Sequence, residues 1–595
     1  MKLIRFEFDC SSQVPWYNHL CNQYLNYSSL TLTVGLVAIK AQAESLQSLP
    51  ITWRYMIEAE GEQAPLEALA NELAQDFLLS TYLLESRIVP AAERLGSNKP
   101  LKETDAQLPF CQHCQPQFGD NQHANFAQLV LPCSHCHGER VIEDNADLAA
   151  LQVADLVNLA TQLLSGETIT LTDVIGSIQL GRQPFNDGDS AVLVCNPNTL
   201  SEHFVLENRQ VLSLSSIEKP LLLLKPQPTS GISQSLIPVG FAASRLQQVL
   251  CELLRVKGVD WLYIKGAKRS VFANVLGVDL PVQSQACQLT QAGTGFTLAE
   301  PLHESVRFGN YVAVASGNRK QPQIISSLST EQNVWDSTDT RKAAECAALA
   351  LGAEFGQSSH YALIYFSEQY DSQILVRDDK GSLTSFLTLP KLPANGSAIH
   401  AAMQISEHAG VWQKFVGQQP AILERLLALD LNDYSAATLN SLWAVAAVLI
   451  GLNGESAKSL ATSFVSSAMA NCSANSPRID FPLVKREDGS STIDWTKAIG
   501  TLVSFRLAGD NDEAKLAFAM HDSLADFIAN WIERLDLNSG IERVYLAGSD
   551  IANPVIVKRL GLRLGKNFPM ASSQQQDLDG ALLATGALYL RQRRG

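Results

Sequence analysis

Residues 111–136 read CQHCQPQFGDNQHANFAQLVLPCSHC and hold the only clustered cysteines of the chain. The cysteines, Cys111, Cys114, Cys133 and Cys136, form two pairs with 18 residues between them. Two cysteines that are separated by two residues can turn back so that both thiolates face one ion, and a second pair completes a tetrahedral shell. The stretch therefore predicts a zinc ribbon. We expect the zinc to be structural, because four thiolates leave no open position for a substrate.

Other interpretations of these cysteines stay open. The four residues could be free thiols or two disulfides, and an iron–sulfur cluster also accepts four thiolates. Four histidines lie in the same region and any one could replace a thiolate, although such residues are more often exposed or hydrogen-bonded to a ligand: His113, His123, His135 and His137. Zinc is favoured because the site is closed and no redox chemistry is indicated.

The composition limits the classes of protein that remain. A chain of 595 residues should contain about three to five domains, and 46% hydrophobic residues can fill several cores. The net charge of −15 argues against nucleic-acid and membrane partners. The charged amino terminus does not resemble a signal peptide, and most cysteines are scattered singly, so we expect a cytoplasmic protein.

Hydrophobic periodicity predicts α+β and α/β units on both sides of the ribbon. Strand-like residues 2–8 and 30–39 with a helical pattern at 66–84 predict a small α+β unit. Further helical patterns predict helices at 148–164, 242–255, 341–351, 421–429, 439–450 and 514–535. Strands are expected at 361–366 and 544–546.

Several motifs along this order resemble one family, the hydrogenase-maturation carbamoyltransferases of the HypF type. The spacing of the cysteines is the same as that of a family zinc ribbon, and CHGER at 136–140 resembles its CGPR. LALGAEF at 349–355 is similar to LALGAEL, and WAVAAVLIGL at 443–452 resembles the family's FDAVAALLGL. HDSLA at 521–525 resembles HNTLA.

The resemblance implies a fold and a division into domains. It implies an acylphosphatase-like α+β domain at 1–96, the four-cysteine zinc ribbon at 97–147, a YrdC-like α/β domain at 148–335, and a shortened actin/sugar-kinase-like carbamoyltransferase-type domain at 336–595. The fold class is thus multidomain, with α/β and α+β parts.

The resemblance also implies an activity, cofactors and partners. The family cleaves carbamoyl phosphate, forms a carbamoyl-adenylate from ATP, and passes the carbamoyl group to a partner protein in [NiFe]-hydrogenase maturation, toward the cyanide ligand. It therefore implies structural zinc, an ATP site and a carbamoyl-acceptor protein as partner. The cofactor-binding residues that it implies are Gly548, Asn553, Asp579 and Gly580.

The motifs that carry this chemistry depart from the family pattern. Where the family has VQGVGFR, residues 10–17 read CSSQVPWY, without the arginine or a glycine. The family's histidine run has no counterpart, and lone residues such as His521 are more often hydrogen-bonded or exposed than metal-bound. Lys265, Lys268 and Arg269 form a small basic cluster that could contact a nucleotide.

Two functional hypotheses therefore remain, and the sequence leaves open whether the chain is an enzyme. The first is a carbamoyltransferase-family protein of hydrogenase maturation whose active-site motifs are degraded. The alternative is a non-catalytic zinc-binding scaffold or regulator, a pseudoenzyme, that binds maturation partners.

Overall fold

The fold is described from a computed structural model. It describes residues 2–25, 27, 30–40, 51–102, 107–185, 190–285, 288–291, 305–318, 321–329, 335–336, 342–356, 360–378, 380–473, 475–486 and 489–592. The chain forms two compact units, one of residues 1–232 and 236–272 and one of residues 233–235 and 273–595. The predicted four-domain division stays a prediction.

The first unit begins with a four-stranded antiparallel sheet of order β2-β3-β1-β4. Its strands are β1 (Lys2–Cys10), β2 (Thr31–Lys40), β3 (Ile51–Gly61) and β4 (Leu83–Pro90), and its helices are α1 (Pro15–Tyr24) and α2 (Gln63–Asp76). The predicted strands are confirmed. The helix predicted at 66–84 is wrong beyond Asp76, because Phe77 is extended and its ring stacks on Phe8 at 4.8 Å.

The ribbon has little regular structure. Its helices are single turns: α3 (Gln115–Phe118), α4 (Glu139–Glu143) and α5 (Ala146–Ala149). The polar, aperiodic sequence of this region agrees with that architecture.

A mixed sheet forms the rest of the first unit, in the order β12-β9-β10-β7-β11-β6-β5. Its strands are β5 (Ile169–Asp173), β6 (Gly176–Gly181), β7 (Ala191–Val194), β8 (Phe204–Val205, paired with β9), β9 (Leu221–Pro226), β10 (Ile237–Gly240), β11 (Trp261–Lys265) and β12 (Val271–Val275). Its helices are α6 (Val153–Leu164), α7 (Leu200–His203), α8 (Asn208–Ser215) and α9 (Arg245–Arg255). The helices predicted at 148–164 and 242–255 correspond to α6 and α9.

The second unit contains a five-stranded sheet of order β14-β17-β16-β15-β18, against which two helices pack. The strands of this sheet are β14 (Gln288–Gln291), β15 (Ser305–Phe308), β16 (Tyr311–Asn318), β17 (Gln321–Leu328) and β18 (Trp335–Asp336); β13 (Val278–Gln283) precedes them and is not part of it. The two helices are α10 (Ala343–Phe355) and α19 (Ala581–Gln592). They share one buried core with β15–β17.

A seven-stranded sheet of order β22-β23-β21-β20-β19-β24-β25 forms the other layer of this unit. Its strands are β19 (Tyr361–Tyr365), β20 (Gln373–Arg377), β21 (Leu383–Thr388), β22 (Leu483–Lys485), β23 (Ser491–Ile493), β24 (Arg543–Ala547) and β25 (Met570–Ala571). The remaining helices are α11 (Gly396–Ile405), α12 (Ala409–Gln418), α13 (Pro420–Leu427), α14 (Leu439–Ile450), α15 (Ala457–Ala470), α16 (Trp495–Leu507), α17 (Glu513–Ser539) and α18 (Pro554–Leu564).

Helix α14 is the centre of the core of this unit. Apart from Asn440, all its residues are buried, so packing in a protein core explains its nearly continuous apolar sequence. Within the described residues, no helix is long and apolar enough to cross a membrane.

Candidate metal centre and neighbouring sites

The four predicted ligand cysteines lie together and are buried. The sulfurs of Cys111 and Cys133 are 3.7 Å apart, as are those of Cys114 and Cys136. A tetrahedral zinc with Zn–S distances of about 2.3 Å needs sulfurs roughly 3.8 Å apart. The spacing therefore fits one zinc ion, whereas a disulfide needs about 2.05 Å.

The two pairs turn back by the same local mechanism. After the first pair, the Gln115 amide donates to the Cys111 carbonyl at 2.9 Å, and after the second the His137 amide donates to the Cys133 carbonyl at 3.0 Å. His137 has a φ of 51°. Each turn directs both sulfurs of its pair inward.

Arg245, at the start of α9, fixes the ribbon to the α/β sheet of the first unit. Its guanidinium is fully buried and donates to the carbonyls of Pro109, Leu129 and Leu131 at 3.0, 2.8 and 2.7 Å. It also lies 3.9 Å from the Cys114 sulfur. A single arginine thus satisfies three ribbon carbonyls and faces the thiolate shell with positive charge.

The electrostatics around Cys114 favour its thiolate form. Sulfur hydrogen bonds with Cys111 and Cys136, the Cys111 amide and the charge of Arg245 lower the pKa of Cys114 well below its ordinary value. Glu139 completes the arrangement, because its carboxylate accepts from the Cys133 amide at 3.1 Å and lies 3.6 Å from Arg245. These groups fit a site that holds a divalent cation.

In the loop that would hold phosphate in an acylphosphatase, residues 10–17, three backbone amides donate to oxygens of the protein. The Ser11 amide donates to the Tyr82 carbonyl at 2.8 Å, and the Val14 amide donates to the Tyr55 hydroxyl at 2.8 Å. The Tyr17 amide donates to the Val14 carbonyl at 2.9 Å, and Pro15 has no N–H. Amides that already donate within the protein are not available to an anion.

Asp579 is the best-connected of the predicted cofactor-binding residues. The hydroxyls of Tyr365, Ser367 and Ser549 donate to its carboxylate at 2.5, 2.6 and 2.8 Å, and the Ser549 amide at 3.1 Å. Burial raises the pKa of Asp579 to about 6 despite these donors. Protein groups thus satisfy the carboxylate, and its role here is to tie together the loops that follow β19 and β24.

Gly548 and Gly580 make close approaches that a side chain would prevent. Gly548 has a φ of 95°, and a Cβ there would come 2.0 Å from the Phe366 carbonyl oxygen. A Cβ on Gly580 would come 2.5 Å from the Tyr311 ring. Asn553 caps α18, because its side chain accepts from the amides of Val555 and Ile556.

Asp550, which sequence reasoning did not select, lies beside this loop. It is buried, and Asn440 donates to one of its oxygens at 3.1 Å, whereas its other oxygen has no hydrogen-bond partner among the described residues. Desolvation and the charges of Glu368 and Asp579 raise the pKa of Asp550. Because parallel β19 and β24 end at the same edge, this is where ligands bind in open α/β sheets.

The basic cluster of the first unit is divided between the interior and the surface. Arg269 is buried and donates to the carbonyls of Lys219 and Pro220, whereas Lys268 is exposed. Arg269 therefore has a structural role. His521 is also buried, between the rings of Trp443 and Phe464.

A cavity of about 720 Å³ lies in the first unit beside the ribbon. Its lining includes Phe110, Lys219, Phe241, Glu252 and Arg255. Desolvation, followed by the charge of Arg269, lowers the pKa of Lys219 to about 8. The volume is that of ordinary small-ligand sites.

Comparison with known proteins identifies relatives along the whole chain. Residues 398–586 match the family model described as "Carbamoyltransferase, Kae1-like Domain, second subdomain". The chain is 25% identical over 561 residues to Protein HydE of Wolinella succinogenes, across 91% of this chain and 95% of that protein.

Two solved structures share the fold. One, full-length HypF in a phosphate- and nucleotide-bound form, aligns over 100% of this chain and 98% of its own, with a TM-score of 0.62 and 12% identity. The other, HypF of T. kodakarensis, aligns over 99% of both chains, with a TM-score of 0.60 and 11% identity. The multidomain α/β fold expected from the sequence is thereby confirmed.

Proposed function

We propose that the chain is a HypF-like member of the carbamoyltransferase family and that it acts in [NiFe]-hydrogenase maturation as a zinc-containing scaffold, which the family model over residues 398–586 and the shared fold support. In this role it binds a carbamoyl-acceptor protein and other maturation proteins, and it does not itself cleave carbamoyl phosphate. The cytoplasm is the proposed compartment, because the ribbon requires free thiols.

One observation carries this proposal: three backbone amides of the loop at residues 10–17 donate within the protein. A phosphoryl group is held by several N–H donors and by an arginine that binds two oxygens at once. The amides of Ser11, Val14 and Tyr17 donate to protein oxygens instead. Arg54 on the adjacent strand β3 does not supply this arginine, because two of its nitrogens donate to Asp9 at 2.6 and 2.8 Å.

The fit of the cysteine shell supports the zinc in this proposal. Cys111, Cys114, Cys133 and Cys136 would hold the ion, and its contribution when bound is to the stability of the ribbon. The buried Arg245 supports the same role, since it joins that ribbon to the neighbouring sheet.

A second candidate function, residual nucleotide binding, is favoured by the cavity beside the ribbon. A solved relative is described as phosphate- and nucleotide-bound, and Lys219 and Arg255 supply cations to the cavity lining. ATP is therefore the first ligand to test. Gly548, Asn553, Asp579 and Gly580 remain a proposed second nucleotide contact, although Asp579 and Asn553 already bond within the protein.

The proposed function is tested by calorimetry on the zinc-loaded full chain. The titrants are a carbamoyl-acceptor maturation protein, ATP and carbamoyl phosphate. We expect saturable binding of the acceptor protein and no heat of binding from carbamoyl phosphate. Failure to bind any maturation protein, or saturable binding of carbamoyl phosphate with turnover, would contradict the scaffold proposal.

The matched variants separate the two candidate functions. Lys219→Met removes a cation from the cavity, whereas Lys268→Met removes an exposed cation of the basic cluster, which does not line the cavity. If ATP occupies this cavity, only the first substitution weakens its binding. Acceptor-protein binding is expected to survive both substitutions.

A further inference from the structure

A second group of metal-ligand side chains lies beside the cysteine shell. It consists of His113, His135 and Asp76, whose nearest donor atoms all lie within 4.8 Å of one another. The His113 Nε2 is 3.0 Å from the Asp76 Oδ1, and the two imidazole rings stack at 3.9 Å between centroids. We call these three residues the His–His–Asp cluster.

The ribbon itself brings the two histidines together. Each immediately precedes the last cysteine of its pair, in CQHC at 111–114 and in CSHC at 133–136. Because both pairs turn in the same way to face one ion, the equivalent residues of the two turns lie side by side. The cluster therefore follows from a repeated position in the sequence and requires a folded ribbon.

Asp76 is held in place as a metal-bound carboxylate usually is. Its Oδ2 accepts from the Tyr24 hydroxyl at 2.7 Å and from the side-chain Nε2 of Gln23 at 3.2 Å. Its Oδ1 is therefore left to face His113. Ligating carboxylates are commonly hydrogen-bonded by outer groups that fix their orientation. In the part of the chain that the structure describes, no group hydrogen-bonds the imidazole of His135.

A small cavity adjoins the cluster. Its volume is about 10 Å³, and its lining includes all three members of the cluster together with Trp16, Gln23 and Cys111. This is roughly the room that one water molecule or one ion needs. The members are partly exposed, so an ion could enter from solvent.

We propose that the His–His–Asp cluster binds a second Zn²⁺ ion, exchangeable and separate from the four-cysteine site. Two imidazoles and one carboxylate form a three-ligand set of the kind that leaves a fourth position for water. Donors on a tetrahedral zinc lie roughly 3.4 Å apart, so binding requires the partly exposed rings to turn until the wider spacing closes. This site does not depend on the proposed function of the protein.

The site is tested by counting zinc in the full chain. The protein is equilibrated with Zn²⁺ against a weak chelator, and metal per chain is measured by mass spectrometry. We expect one equivalent for each of the two ligand groups, two in total, in the wild type. His113→Ala, His135→Ala and Asp76→Asn should each retain only one.

The control is His123→Ala, an exposed ribbon histidine outside the cluster, which should retain both equivalents. Cobalt substitution checks folding, because thiolate-to-cobalt charge transfer reports the four-cysteine site alone and should be unchanged in all four variants. A wild type that saturates at one zinc overturns the proposal. Retention of two equivalents by His113→Ala and His135→Ala, or equal loss in His123→Ala, overturns it as well.

Discussion

Replacement of Arg245 by methionine should loosen the ribbon without removing any metal ligand. The arginine is fully buried and donates to the carbonyls of Pro109, Leu129 and Leu131. Methionine fills a similar volume but donates no hydrogen bond, so three carbonyls lose their donor and Glu139 loses its cationic neighbour.

The free energy that the ribbon loses in Arg245→Met follows from these contacts. Removal of one partner of a buried ion pair costs about 3–5 kcal/mol, and each buried carbonyl left unpaired costs about 1–3 kcal/mol before water relaxes around it. Water can reach part of the ribbon, so we take about 3–5 kcal/mol for the whole substitution. At 1.4 kcal/mol per decade, the open population of the ribbon should rise by about 10²- to 4 × 10³-fold.

The assay is the release of zinc to an excess of a coloured chelator. Global unfolding is unsuitable here, because a chain of several domains does not unfold in a single two-state step. Release through local opening reports the ribbon directly. Arg255→Met on the same helix is the matched control, since the Arg255 side chain is 41% exposed where it pairs with Glu252 and its loss should change release by less than about 1 kcal/mol.

The reasoning is refuted if Arg245→Met releases zinc at the wild-type rate. It is also refuted if both arginine variants accelerate release equally, because helix α9 rather than the buried contacts would then be responsible. Arg245→Lys should lie between the wild type and methionine, since lysine keeps the charge but cannot span three carbonyls at once.

Two further predictions concern the second unit. Gly548→Ala should destabilise it by several kcal/mol, because the new Cβ would clash with the Phe366 carbonyl oxygen. The control is Gly509→Ala, because Gly509 has a similar φ of 94° but its new Cβ would meet no atom. Thermal melts of the two variants separate the effect of the clash from that of the backbone strain. Burial raises the pKa of Asp577 to about 7, so its contribution to stability is present below its unfolded pKa of about 4 and is lost as the pH rises through about 7. Asp577→Asn should remove this dependence of stability on pH, which is on the order of 4 kcal/mol for the full pKa shift. Scanning calorimetry from pH 4 to 8 checks it. Melting temperatures that change with pH in parallel for the variant and the wild type would contradict the prediction.

The periodic parts of the fold could be predicted from the sequence, and the end of one helix could not. Helices α14 and α17 and strands β19 and β24 occur where the pattern predicts them, since long apolar periodicity reflects burial directly. Helix α2 ends early because Phe77 gains stacking with Phe8 and Tyr17 once the chain turns. That gain depends on strand β1, which is distant in sequence.

The same distinction applies to the sites. The cysteine spacing is local and sufficed to predict the four-sulfur shell, whereas Arg245 follows it by more than 100 residues and shows no motif. His113 and His135 occupy equivalent positions in the two cysteine pairs, and this pattern, which is visible in the sequence, indicates that their side chains lie close together. Asp76 could not be connected to these histidines from the sequence, because it is the last residue of helix α2 and meets them only in the folded chain.

The release of phosphate from carbamoyl phosphate by the zinc-loaded full chain tests the central claim most directly. That claim is that residues 10–17 do not bind a phosphoryl group, because they include no arginine or glycine and three of their amides donate within the protein. The account predicts the rate of the uncatalysed reaction at every protein concentration, with or without ATP. A rate that rises in proportion to the protein and saturates with carbamoyl phosphate would contradict it.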